Sequence, residues 1–295
     1  MQRVLTDISG VVAAQTERGE KTKESPFGEN YITTLLGDLD EPVFTTERDR
    51  IVQRRAALLN QLQLSSLAIP LEYVSHAIQL IDGQTNTEPD EDLRPPFVAD
   101  ALWTMTPGIG LAVSTADCGG ILVADSTQPL VAAIHSGHAQ SVRALPYRTI
   151  KQLPANPKNL KVYVSPLADV YSYEVSADFR GNFIDYFKRH FTSLGLDPAD
   201  YFAEQELNVW TSREHKSPVV KIGTGFDNRR LILDQLLAAG ILEANITVDQ
   251  RNTMNPTQNL HSYRLDGYVR DEDAEMIARS PSGAQLSTIG ISADA

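Results

Sequence analysis

Between Ala99 and His135 the chain runs through four short apolar segments, ALWTM, IGLAVST, GILVAD and LVAAIH, cut by Pro107-Gly108, by Gly119-Gly120 and by a turn from Ser126 to Pro129. Apolar runs of this length, bounded by glycine and proline, read as strands joined by turns. They lack the polar and apolar alternation of a strand with one wet face, so the sheet they build is expected to be covered on both sides. A further strand is expected at Leu160 to Ser165.

Helices are expected around this block. Thr45 to Leu64 carries Ile51, Val52, Leu58, Leu59 and Leu62 at helical spacing, with Thr45 or Thr46 as N-cap. Ser176 to Leu194 repeats phenylalanine every four residues, at Phe179, Phe183, Phe187 and Phe191, which stacks the rings along one side. Asp227 or Asn228 caps a third helix through LILDQLLAA, closed by Gly240 and followed by a strand-like stretch from Ile241 to Val248. The polar, acidic, proline-containing run from Gln84 to Pro96 reads as a surface loop. No internal repeat, low-complexity tract or Gly/Ser-rich linker interrupts the pattern, and one mixed α/β domain over residues 1–295 is the expectation.

With 295 residues and 42% apolar content the chain has material for a large core. Its net charge of −12, from 38 acidic against 26 basic side chains, argues against a nucleic-acid partner and for a small substrate. Cys118 is the one cysteine, which excludes an intrachain disulfide and leaves a free thiol. No long apolar run precedes the first elements and none reaches the roughly 20 residues that span a bilayer, so no membrane association and a cytoplasmic location are expected.

The chemistry-bearing residues gather at the ends of the expected strands. STADCGG occupies Ser114 to Gly120, and HSGH begins seventeen positions after Cys118, at His135. A thiolate with imidazoles suits zinc or copper, and three protein ligands leave a position for water or substrate. By spacing alone, a lone cysteine among apolar strands is equally a small buried hydrophobe.

The segment ADALWTMTPGIGLAVSTADCGGILVADSTQPLVAAIHSGH resembles the signature of the laccase-domain family, historically called multicopper polyphenol oxidases and also identified as zinc-dependent purine nucleoside phosphorylases. Further segments agree in order: RRAALLNQLQL at Arg54 to Leu64, VSH at Val74 to His76 against the family's Q-V-H, SPLADVYSYEV at Ser165 to Val175, and NTMNPTQNLHSYRLDG at Asn252 to Gly267. The resemblance implies an α+β fold, a layered sandwich of two mixed β-sheets flanked by helices, with a site in a cleft at one edge. It also implies a metal held by His76, Cys118 and His135, with Zn²⁺ as the ion and copper as the alternative. The implied reactions are phosphorolysis of adenosine, inosine or methylthioadenosine to base and sugar 1-phosphate, and deamination of adenosine, so the implied partners are a purine nucleoside and phosphate.

Departures from the family pattern set further expectations. The family's H-A-G-W-R-G reads HSGHAQ here, placing His138 at the tryptophan and Ala139 at the arginine. His138 is then either a further ligand, sharing a helical face with His135, or a ring that stacks on the base. Arg143 is a candidate replacement for the missing cation. Near the N-terminus QTERGEK holds Arg18 out of register with the family's S-x-R-x-G-G, and TTLLG stands for S-L-N-L-G. Asp117 is expected to orient a ligand histidine or to cap a turn. Tyr263 or His138 is a candidate proton donor to the leaving purine, and Arg264 is either a cation near substrate or half of a structural ion pair. His261 stands where the family has phenylalanine; His190 and His215 fall outside these motifs. Two rival readings remain from the sequence: a copper-dependent polyphenol oxidoreductase, and a catalytically impaired member that acts by binding. Oligomeric state is not legible.

Overall fold

A computed structural model describes residues 1–22, 27–32, 39–71, 74–215, 217–271 and 274–294. TTLLG, residues 33–37, therefore lies outside the described residues. In chain order the strands are β1 (Gln2–Arg3), β2 (Val11–Gln15), β3 (Ser66–Ala68), β4 (Ile78–Leu80), β5 (Ala101–Thr104), β6 (Ile109–Thr115), β7 (Gly119–Asp125) and β8 (Val131–Ser136). Then follow β9 (Leu160–Val164), β10 (Glu174–Val175), β11 (Phe202–Val209), β12 (Val219–Phe226), β13 (Ile246–Val248), β14 (Tyr268–Arg270), β15 (Met276–Arg279) and β16 (Gln285–Ile291). The helices are α1 (Glu41–Leu62), α2 (His138–Val142), α3 (Leu145–Gln152), α4 (Ala177–Phe191), α5 (Asn228–Ala238) and α6 (Tyr263–Asp266).

Two mixed sheets form the centre, one ordered β1-β2-β16-β6-β3 and the other β13-β9-β7-β8-β5-β4. The side-chain alternation of a strand explains why both faces are apolar. On β7, Leu122 and Ala124 face the first sheet and pack with Leu111, Val113 and Ile289, whereas Ile121 and Val123 face α3 and α5 and pack with Leu145, Ile150, Ile232 and Leu236. On β6 the roles repeat, with Ala112 turned to Leu58 and Leu62 of α1. The order of layers is thus helix, sheet, sheet, helix, and every residue of β7 is buried.

The phenylalanine column of α4 packs on the smaller sheet β10-β12-β11. Phe183 and Phe187 stack with ring planes 4° apart, and Phe226 of β12 lies edge-on to Phe183 at 5.1 Å. Ser176 caps this helix, its Oγ accepting the Phe179 N–H at 3.1 Å. Ser176→Ala is expected to lower the unfolding free energy by about 1 kcal/mol, read as a reduced urea midpoint at unchanged slope; an unchanged midpoint would remove the cap from the account.

Three local expectations shift. The first helix begins at Glu41, because Pro42 presets the first turn, and Thr46 instead donates its hydroxyl to the Pro42 carbonyl at 2.8 Å from inside the helix. The stretch from Ile241 is strand only at Ile246–Val248, since Glu243–Asn245 makes a 3₁₀ turn. The pair β11 and β12, in which polar and charged residues interrupt the apolar ones, is a long antiparallel ribbon that apolar runs alone did not reveal.

A candidate active site at the edge of the six-stranded sheet

The ladders bring distant segments to one edge. Gly120 pairs with His135 between β7 and β8, Ile134 pairs with Ala101 of β5, and Ala101 pairs with Ile78 of β4. Cys118 directly precedes β7, Asp100 directly precedes β5, and His76 stands just ahead of β4. All of them therefore sit beside His135 at the same end of the sheet. The His135 N–H donates to the Asp100 carbonyl at 2.8 Å, extending the ladder to that row.

Backbone strain marks the same residues. Asp117, just before the thiol, has φ +94°, and His76 has φ +54°, conformations that side chains with a Cβ seldom adopt and that surrounding contacts must hold. Around the half-buried Cys118 the turn from β8 into α2 passes so close that a Cβ on Gly137 would lie 2.7 Å from Sγ. Only glycine leaves the sulfur its seat.

The buried carboxylate of Asp100 lies at the centre of this edge. It accepts from the His76 N–H at 2.5 Å, from Ser75 Oγ at 3.2 Å and from Gln140 Nε2 at 2.8 Å, and stands 3.7 Å from His135 Nδ1. Burial alone would raise its pKa, but the His135 imidazole, the His76 amide and Gln140 outweigh it and hold the carboxyl at about 2. Sequence reasoning passed over Asp100; its place in ADALWT, directly ahead of a strand, was the available signal.

The imidazole of His76 titrates below its ordinary value through burial and the nearby Arg143 and Arg148, against an upward pull from Asp100. His138 is exposed by area, yet its Nδ1 side is packed: burial, Arg264 and His135 all lower its pKa. His138 Nδ1 meets the Tyr173 hydroxyl at 3.1 Å, and its ring stands edge-on to Phe179 at 5.3 Å. It does not share a helical face with His135, because the strand continues through Ser136 and α2 starts at His138 itself. Tyr173, in the YEV of the matched motif, was not singled out from sequence; it is buried, with its pKa raised chiefly by burial and further by Cys118 and Asp117.

Arg143 lies over the Tyr186 ring at 4.9 Å and donates to its hydroxyl at 2.9 Å. Arg264 lies over the Tyr173 ring at 4.2 Å and donates to the Glu174 carbonyl at 2.6 Å, where an ion pair with a carboxylate was one expectation. The carboxylate of Asp117 accepts from Thr253 Oγ1 at 2.7 Å and from the Arg264 N–H at 2.8 Å. It thus fastens the start of α6 to the cysteine turn, and Asp100 is the carboxylate that faces the histidines. Tyr263 packs its ring against Tyr268 at 5.4 Å, and Tyr173 is the tyrosine that meets His138. Among the other histidines, His190 lies on Tyr186, His215 contacts Thr211, and His261 is buried with Nε2 donating to the Glu29 carbonyl at 3.2 Å. The histidines thus do not assemble into a multinuclear copper cage.

The donors were tested against a metal ion. Thiol and imidazole chemistry, the glycine seat around Sγ, and a buried His76 Nδ1 that meets no hydrogen-bond partner among the described residues fit zinc or copper. As placed, the side chains do not close into a ready-made cluster: among the described residues no group of three or more His, Cys, Asp and Glu is positioned to hold an ion. A cavity of about 690 Å³ lies elsewhere, among residues including Thr211, His215, Tyr268 and Arg270, and contains none of these donors in its lining.

Fold and edge together define a layered α+β protein with a thiol and two imidazoles brought to one sheet edge. The family model described as multi-copper polyphenol oxidoreductase laccase matches residues 42–279. A protein of Mycobacterium tuberculosis named purine nucleoside phosphorylase is 33% identical over 174 residues, covering 54% of this chain and 67% of that one. A Corynebacterium glutamicum protein of the same name is 25% identical over 255 residues, covering 85% and 88%. The crystal structure of YlmD from Geobacillus stearothermophilus matches with a TM-score of 0.69 at 21% identity, over 97% of this chain and 93% of that one. The chain belongs to the laccase-domain family. No helix among the described residues is long and apolar enough to cross a membrane.

Proposed function

We propose that the protein is a purine nucleoside phosphorylase that cleaves adenosine, inosine or methylthioadenosine to base and sugar 1-phosphate. The metal would be one zinc ion held by His76, Cys118 and His135. The observation that carries the reading is the arrival of Cys118 and both histidines at one sheet edge, in a chain whose relatives bear that name. Bound zinc would supply Lewis acidity for an oxygen nucleophile at neutral pH.

The chain's own residues supply the rest. Three guanidinium groups act on this edge: after burial, Arg143 and Arg148 lower the pKa of His76 and Arg264 lowers that of His138, while the Asp100 carboxylate pulls His76 the other way. Cations so placed favour an anionic co-substrate and support phosphate as the acceptor. In phosphorolysis a phosphate oxygen bonds to C1′ of the sugar while the bond to the purine nitrogen breaks. The electron pair leaves with the base, which takes up a proton. With the Tyr173 hydroxyl donating to His138 Nδ1, the neutral ring would carry its N–H on Nε2 and hydrogen-bond the departing purine, whose proton would come from dihydrogen phosphate or water.

The test is incubation with each nucleoside, with and without phosphate, following base and sugar 1-phosphate by chromatography and metal by elemental analysis. The expected result is phosphate-dependent base release that a chelator abolishes. Conversion of adenosine to inosine without phosphate would assign deamination instead, and nucleoside binding without turnover would assign the impaired, binding-only reading.

A further inference from the structure

We propose that Asp100 is the positioning residue of this edge, setting both the loop that carries His76 and the ring orientation of His135. For its zinc readout the proposal rests on the metal reading above; for its structural readouts it does not. The carboxylate is fully buried and its oxygens divide the work. Oδ2 takes the N–H of His76 and the hydroxyl of Ser75, and the backbone there needs holding, since Val74 and His76 both have left-handed φ values of +52° and +54°. Ser75 Oγ in turn accepts the Ala77 N–H at 3.2 Å, and the amides of Asp100 and Ala101 both donate to the Ala77 carbonyl at 3.1 Å. The strained loop is therefore fastened to the start of β5 by side chain and backbone together.

Oδ1 takes Gln140 Nε2 and faces His135 Nδ1 at 3.7 Å. That separation is too long for a strong hydrogen bond, but an ionised carboxylate accepts only, and its charge at this range favours the tautomer with the proton on Nδ1. Nε2 of His135 is then the unprotonated ring nitrogen. A carboxylate behind a ligand histidine is a common way to fix ring and tautomer. Here one carboxylate serves two histidines far apart in the chain, one on the loop before β4 and one on β8. Gln140 completes the arrangement from α2: its Oε1 lies 3.1 Å from where a Gly137 Cβ would stand, on the side that faces Cys118.

The Asp100→Asn variant keeps the volume and one accepting oxygen, so the His76 amide and the Ser75 hydroxyl remain satisfied. Its NH₂ group then faces Gln140, which turns its amide, and His135 Nδ1, which must become an acceptor. In the metal-free full-length protein, ¹⁵N imidazole spectra are expected to change His135 from the Nδ1-protonated to the Nε2-protonated tautomer. Zinc alone, titrated against a chelator, is expected to bind 10- to 100-fold more weakly, with the melting temperature little changed. Asp100→Ala also removes the acceptor of the His76 amide, which should lose its protection in hydrogen exchange. An unchanged His135 tautomer in Asp100→Asn, together with wild-type zinc affinity, overturns the proposal. If the wild-type protein binds no zinc, the metal reading falls, and the tautomer and the His76 amide still decide the role of Asp100.

Discussion

Cys118→Ser is expected to eliminate zinc from the purified protein and, on the phosphorylase reading, to reduce phosphate-dependent base release by more than about a hundredfold, the upper range reached when only a supporting residue behind a ligand is lost. A hydroxyl at this position is a far poorer zinc donor than a thiolate, because it stays protonated at neutral pH and is harder than sulfur. Serine is close to cysteine in size, and the site is half-buried beside Gly137, so the sheet edge should survive the exchange. Elemental analysis and turnover are to be measured on one sample whose circular dichroism matches wild type. Full activity in a folded Cys118→Ser protein would falsify the thiol's part in the site and with it the zinc reading.

The second large effect concerns His261. Its ring is 1% exposed, lies so tightly over Gly283 that a Cβ there would meet it, and its pKa is driven down to about 3. Burial is the main cause, and the hydrogen bond to the Glu29 carbonyl only partly opposes it. The folded protein therefore keeps this histidine neutral, while the unfolded chain protonates it near pH 6.5. Stability from this group is complete above that pH. It falls as pH drops, by about 1.4 kcal/mol for each unit, until the folded-state pKa near 3 is reached. His261→Phe, which restores the residue of the family pattern, removes the penalty. It also forfeits the bond to Glu29, worth about 1 kcal/mol. Urea midpoints of the two proteins should thus cross below about pH 6, with the variant the more stable on the acid side. Parallel profiles from pH 7.5 to 4 would show that His261 takes up its proton in the folded state.

Much of the architecture was legible along the chain. The apolar runs expected between Ala99 and His135 are β5 to β8, although they do not share one sheet, β6 joining the five-stranded sheet and the other three the six-stranded one; the phenylalanine column is α4, and Asp227 caps α5 through the Arg230 N–H at 2.9 Å. These succeed because strand and helix periods are local properties, written in neighbouring residues. The strand order of the five-stranded sheet was not legible, since β16 at the end of the chain lies between β2 from its beginning and β6 from its middle. No local pattern encodes such pairing, and β11 and β12 hid their ribbon behind surface charge.

The site divides along the same line. His76, Cys118 and His135 were singled out by motif, and so was His138, because residue type and order survive in a linear text. What Asp100 and Tyr173 touch was not in that text. Asp100 reaches Gln140 forty residues on, and Tyr173 reaches His138 thirty-five residues back. What Asp117 and Tyr263 touch, Thr253 and the Arg264 amide for the one and Tyr268 for the other, was likewise absent from that text. Composition and periodicity by themselves determined that this chain builds a doubly covered sheet with a thiol and imidazoles at its strand ends. Tertiary structure alone decided which carboxylate stands behind which histidine, because hydrogen bonds depend on distances that close only when the strands are laid side by side.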